Sequence, residues 1–232
     1  MDVVSMTLDH VGTDVPEGVA GPTIPADKRR DDMLHAALHV IADRGFTDAR
    51  IADVAERAGT SPALVIYYFR SKDNLLTEAI RLAEDHLYEQ GVNRIQAIPG
   101  AVGRLEEIVS WICFPVSVDE FPDSWSLWID LWARAQRHPE VARVRQEFDV
   151  RWRNAIAQVV IDGQRAAEFG AADPVEFAIT LLALLDGLAV QIALGDPAVD
   201  PTFALRAAMG FATGVLGFSW SNDKVGAAPR ST

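Results

Sequence analysis

Apolar residues recur at i, i+3 and i+4 along most of this 232-residue chain, while alternating Val/Ile/Thr runs bounded by turns do not occur. The first pattern lays a stripe along one side of a helix, and the second is what a half-buried strand requires. An all-α fold follows, and Gly and Pro divide it into about nine helices. Leu34, Ala37, Leu38 and Ile41 mark the first, with Gly45 as its expected stop. Ile51, Val54, Ala55 and Ala58 mark a shorter second, ended by Gly59. SPALVIYYF, residues 61–69, forms the third, and Ser71 can cap a fourth from Lys72 towards Gln90. After Pro99 and Gly100, further helices are predicted over 101–114, 124–137, 139–168, 173–194 and 201–218. Pro139 and Pro174 fit first helical positions, where the missing N–H costs nothing. The loop PVSVDEFPD, residues 115–123, interrupts the series.

Both ends read differently. Residues 1–26 carry no Lys or Arg, several Gly and Pro, and no continuous apolar core, so they read as a disordered tail and not as a signal peptide. Residues 221–232 look the same. One cysteine, Cys113, excludes an internal disulfide and fits a reducing cytoplasm; it reads as a buried apolar residue. The run FAITLLALLDGLAVQIAL, residues 177–194, is barely long enough to span a bilayer. Asp186 near its middle costs about 2.5–3.5 kcal/mol on insertion scales. A helix buried on all sides by protein is expected there, with no membrane partner.

The formal net charge of −12 argues against a generic nucleic-acid coat. That charge is unevenly placed. Residues 27–75 hold eight basic and eight acidic residues, so the whole excess lies elsewhere. Within this neutral segment, two helices joined by a tight glycine turn, the second capped by Ser61 and started by Pro62, form a helix-turn-helix. At 100° per residue, Val65 and Phe69 share a face about 40° apart. Ala63 and Tyr67 then point outward, and Tyr68 falls at the border. An outward tyrosine hydroxyl, Lys72 at one helix start and Arg50 at another suit phosphate oxygens, with the outward residues of the third helix facing base edges.

The segment GFTDARIADVAERAGTSPALVIYYFRSKDNLL, residues 45–76, resembles the DNA-binding domain of the TetR family of bacterial transcriptional regulators. DLWARAQRHPEV, residues 130–141, and LLALLDGLAVQIALGDP, residues 181–197, resemble the ligand-binding half of its BetI-like branch. The resemblance implies a DNA-binding domain over 27–75 and a ligand-binding and dimerisation domain over 76–220. Carried over by position, the DNA contacts are Arg50, Thr60, Ser61, Ala63, Leu64, Tyr67, Tyr68 and Lys72. Two positions depart from the family pattern: Ile66 replaces an aromatic or His, and Leu64 a polar residue. Ala63 and Leu64 can meet a thymine methyl but not a guanine. The resemblance further implies a homodimer on a near-palindromic double-stranded operator, half-sites about 34–36 Å or multiples apart, released by a small-molecule effector.

Ala207, Gly210, Gly214 and Gly217 form a narrow strip on which either a helix of the same chain or a partner helix can lie. The resemblance implies the partner, with Leu182 and Ala189 on the neighbouring helix. For the effector, Trp111 and Phe114 on one helix, Trp125, Trp128 and Trp132 on the next, and Trp152 on the long one form an aromatic set, with Asp130 and Asp186 nearby. Such a stripe is compatible with plain core packing. As a pocket bounded by Trp111, Phe114, Trp128, Trp132, Trp152 and Asp186, it suits a cationic or aromatic ligand.

No nucleophile elbow, P-loop, HExxH or paired-cysteine site occurs, so an enzyme is not expected and no cofactor is called for. His35 and His39 have metal-capable spacing without a third ligand, so no metal site is expected. A helical adaptor, or a regulator lacking DNA binding, is the alternative reading; the neutral charge and the apolar Leu64 and Ile66 are its support.

Overall fold

The computed structural model describes residues 26–114 and 125–221. Among them are nine helices and no strand: α1 Ala26–Asp48, α2 Ile51–Arg57, α3 Pro62–Phe69, α4 Lys72–Ala97, α5 Ala101–Cys113, α6 Trp125–Ala135, α7 Pro139–Arg165, α8 Pro174–Ala193 and α9 Pro201–Leu216. Apart from Ala26 and Ser221, the expected tails lie outside the described residues. The loop over 115–123 and the Trp125 side chain also lie outside them.

Local chemistry explains most boundaries. Ser61, Ser71, Asp173 and Asp200 each accept a backbone N–H in the first turn of the helix they precede. Pro62, Pro139, Pro174 and Pro201 occupy the first turns of α3, α7, α8 and α9. The first helix differs from expectation. It continues to Asp48, but Gly45 at φ 74°, ψ 164° breaks it into two directions. The break is held from outside: Phe46 N–H donates to Asp130 Oδ2 on α6 at 2.7 Å. Glycine is needed there because φ is positive and a Cβ would also stand 3.3 Å from that carboxylate.

Two apolar cores follow. The first joins α1–α4 to Leu131 of α6 and Val141, Val144 and Phe148 of α7. The second gathers α5, the later part of α7, α8 and α9, including the wholly buried Leu105, Ile108, Leu181 and Met209. The long helices α4 and α7 contribute to both, with Ile95 and Ile156 in the second. Cys113 is buried, and burial pushes its thiol up to about 12.

The apolar α8 is not enclosed on all sides. Its length and composition would allow a membrane crossing, but Phe177, Leu181, Leu185 and Leu188 pack into the second core. Its other face leaves Val175, Ile179, Ala183 and Gly187 exposed.

Candidate nucleic-acid interface and candidate effector residues

The turn between α2 and α3 is closed by Thr60 N–H donating to Ala55 O at 2.8 Å, with Gly59 at φ 61°. Ser61 then accepts from Leu64 N–H at 3.2 Å through its side chain. Val65 and Phe69 are fully buried and fasten α3 to the first core. Burial of this size stabilises by about 1.5–3 kcal/mol per side chain. The Arg30 guanidinium lies over the Phe69 ring, 5.2 Å from its centroid, and pairs with Glu78 of α4.

With α3 fastened, its opposite face is fixed outward. Tyr67 is 78% exposed and Ala63 is exposed. Tyr68 is half-buried against the first core and meets Tyr67 edge-on at 5.6 Å. Leu64 also packs partly on the core, so it borders the outward face. Ile66, which the helical projection did not single out, is 43% exposed.

Basic residues flank this face. Arg50 is exposed just ahead of α2 and Arg70 just after α3; neither makes an ion pair among the described residues. Lys72 Nζ donates to Thr47 O at 2.7 Å, which tethers it beside the Gly45 break. Three other cations of the segment are paired: Arg30 with Glu78, Arg44 with Asp53 at 2.8 Å and Arg57 with Asp43 at 2.7 Å. Arg50 and Arg70, which bracket the α2–α3 unit in the chain, are thus left open to solvent. α6 grips the same region through Arg134, which lies over the Phe46 ring at 4.2 Å and pairs with Asp73 at 2.8 Å.

The expected effector residues divide between the cores. Trp128 packs on Phe148 at 5.6 Å in the first core, while Phe114 and Trp152 pack on the second. Trp132 is half-buried on α6. Trp111 and Trp152 meet over Gly91 of α4, where an added Cβ would lie 3.0 Å from Trp152 Cη2 and 3.2 Å from Trp111 Nε1. Tyr88 completes this group, edge-on to Trp152 at 5.2 Å. Its centre is a residue the sequence reading missed. Glu84, buried on α4, accepts from Trp152 Nε1 at 3.0 Å. Burial pushes its carboxyl up to about 8, against the Trp152 hydrogen bond and the Arg151 charge. The signal was present: Leu76, Ile80 and Glu84 recur every four residues on the buried stripe of α4.

Asp149 of α7 acts on both Glu84 and Asp186. Burial, then the Asp149 charge, raises the Asp186 carboxyl to about 6. Asp149 is itself raised by burial, although Arg145 at 2.9 Å and Arg153 at 3.7 Å oppose the shift. Arg151 is engaged elsewhere, paired with Asp85 and lying over Tyr88 at 4.1 Å. The interior among α4, α7 and α8 is therefore aromatic and rich in costly carboxylates.

The expected dimer residues also divide. Gly210, Gly214 and Gly217 are exposed, Ala207 is half-buried, and a Cβ on any of these glycines would meet nothing within 4 Å. Leu182 and Ala189 are corrected: both are buried inside the chain, at 6% and 0% exposure. Val175, Ile179, Ala183 and Gly187 occupy the open face of α8 in their place. A helix apolar all round gives no polar side from which to tell the two faces apart.

A capped helix-turn-helix presenting an outward helix between free arginines, on a larger helical bundle, defines a DNA-binding regulator. Residues 33–79 match the model for bacterial regulatory proteins of the tetR family, and residues 101–217 that for the BetI-type transcriptional repressor C-terminal domain. The chain belongs to the TetR family of bacterial transcriptional regulators. It is 32% identical over 178 residues to the HTH-type transcriptional regulator BetI of Escherichia coli K12, covering 76% of this chain and 88% of that one. The BetI regulator of Klebsiella pneumoniae is 30% identical over the same shares. A transcriptional regulator from Saccharomonospora viridis, solved in complex with choline, superposes with a TM-score of 0.74 at 28% identity, covering 82% of this chain and 98% of that one. These relatives are regulators and not enzymes.

Proposed function

We propose that the chain is a cytoplasmic, homodimeric repressor that binds a near-palindromic operator and leaves it when a small organic cation binds among the aromatic and carboxyl groups beside Glu84. The observation that carries DNA binding is the outward face of α3, with Tyr67 open to solvent and exposed Arg50 and Arg70 bracketing the α2–α3 unit in the chain. Arg50, Thr60, Ser61, Tyr68 and Lys72 position the protein on phosphates, and Ala63, Leu64 and Tyr67 face the groove. The dimer reading is supported by the open strip of α8 and α9, where Gly187, Gly210 and Gly214 leave room for a partner helix. The effector reading is supported by the carboxyl groups of Glu84, Asp149 and Asp186 among aromatic rings, whose ionised forms a cation relieves. That the Saccharomonospora viridis regulator holds choline agrees with this chemistry.

Fluorescence anisotropy with duplexes from upstream of its own gene tests the reading. Binding that weakens steeply with salt and is reversed by choline supports it. No binding at low salt favours a helical adaptor; binding indifferent to choline removes the assignment of that effector.

A further inference from the structure

The outward side of α3 is almost devoid of hydrogen-bonding atoms. Its exposed positions are Pro62, Ala63, Ile66 and Tyr67, with Leu64 at the border. Pro62, Ala63, Leu64 and Ile66 have no side-chain donor or acceptor. Ser61 Oγ accepts from Leu64 N–H as the cap of the helix, and its remaining O–H is assigned to phosphate. The cations stand at the periphery: Arg50 ahead of α2, Arg70 beyond α3, and Lys72 on the Thr47 carbonyl. They suit phosphates and leave the middle of the helix apolar. With Thr60 assigned to phosphate, hydrogen-bonded base readout is reduced to the Tyr67 hydroxyl.

In the major groove, a T·A pair presents a methyl group, whereas guanine and cytosine present N7, O6 and N4, which require polar partners. We propose that α3 selects its operator through thymine C5 methyl groups packed against Ala63, Ile66 and the outer edge of Leu64, with base hydrogen bonds secondary. The proposal rests on the DNA-binding reading above and names what that surface recognises. It carries a corollary. 5-Methylcytosine bears a methyl at the equivalent carbon, so it replaces thymine at these positions better than cytosine does.

The test uses the full-length protein and a duplex selected from random sequence. The duplex is resynthesised with deoxyuridine for each thymidine in turn, and with C·G or 5-methylcytosine·G for each T·A. One or two thymines per half-site are expected to lose about fourfold in affinity as deoxyuridine, the value of burying one methyl group. At those positions 5-methylcytosine should bind about fourfold better than cytosine. Ile66→Ala or Leu64→Ala, with folding checked by thermal unfolding, should erase the thymine preference over deoxyuridine at one or more of those positions. The proposal is overturned if deoxyuridine leaves affinity unchanged at every position. It is also overturned if the methyl preference survives in both Ile66→Ala and Leu64→Ala. Either result leaves DNA binding standing, whereas failure to bind any duplex at low salt removes the DNA-binding reading and this proposal together.

Discussion

Glu84→Gln should remove a pH-dependent loss of stability. Glu84 is 2% exposed, and burial is the largest cause that lifts its carboxyl from about 4.5 to about 8. Between those values the folded chain retains a proton that the unfolded chain has released. The unfolded state binds fewer protons there, so stability falls as pH rises, by about 1.4 kcal/mol per pH unit. The whole window amounts to at most about 5 kcal/mol, a large share of the 5–15 kcal/mol typical of a folded protein. Glutamine keeps an acceptor for Trp152 Nε1 but cannot ionise. Urea unfolding of both proteins from about pH 5 to about pH 9 measures the difference. The variant should gain on the parent by about 1.4 kcal/mol per pH unit up to about pH 8, then hold a constant lead. Background titration, including that of Asp186, is common to both and cancels in the subtraction. Parallel stability curves at constant offset would refute the reasoning, because they would show that Glu84 titrates alike in both states.

Asp130→Ala leaves Phe46 N–H without its acceptor and should destabilise by about 1.5–3 kcal/mol. Faster amide exchange at Phe46 and weaker operator binding should accompany that loss. Gly210→Leu together with Gly214→Leu meets open space within the chain; folding should persist while sedimentation shows dimerisation weakened at least about tenfold. Gly163→Ala would place a Cβ 2.2 Å from Phe169 Cδ2 and 2.8 Å from Ala101 Cβ. The second core should lose about 1–3 kcal/mol, seen as a fall in Tm of about 2–4 °C per kcal/mol.

The helix-turn-helix was legible because its determinants are local. Gly59, Ser61 and Pro62 act on their own turn, and the angular spacing of Val65, Tyr67 and Phe69 decides which of them is buried. The aromatic and carboxyl cluster around Glu84 was only partly legible, because its members meet across helices. Trp128 and Trp152 are both half-buried tryptophans, yet they serve different cores, and no sequence spacing within one helix reveals that. Glu84 lies on the buried stripe of α4, four residues after Ile80, but its pairing with Trp152 of α7 is a tertiary contact. Leu182 and Ala189 were misplaced because α8 is apolar on both faces, so periodicity could not orient it. The Gly45 break was visible as a glycine. The grip of Asp130 and Arg134 on it is a tertiary contact, which only the packing of α6 against α1 discloses.

Salt-dependent binding to a palindromic operator by the parent protein, Lys72→Ala and Tyr67→Ala tests the central claim most directly. Two chains should bind per operator, with log affinity falling linearly with log salt. Lys72→Ala should weaken every site alike and reduce that slope by about one per half-site, and Tyr67→Ala should also change which sites are preferred. Salt-independent binding, or equal effects of both substitutions at every sequence, would contradict the assignment of α3 as the reading helix.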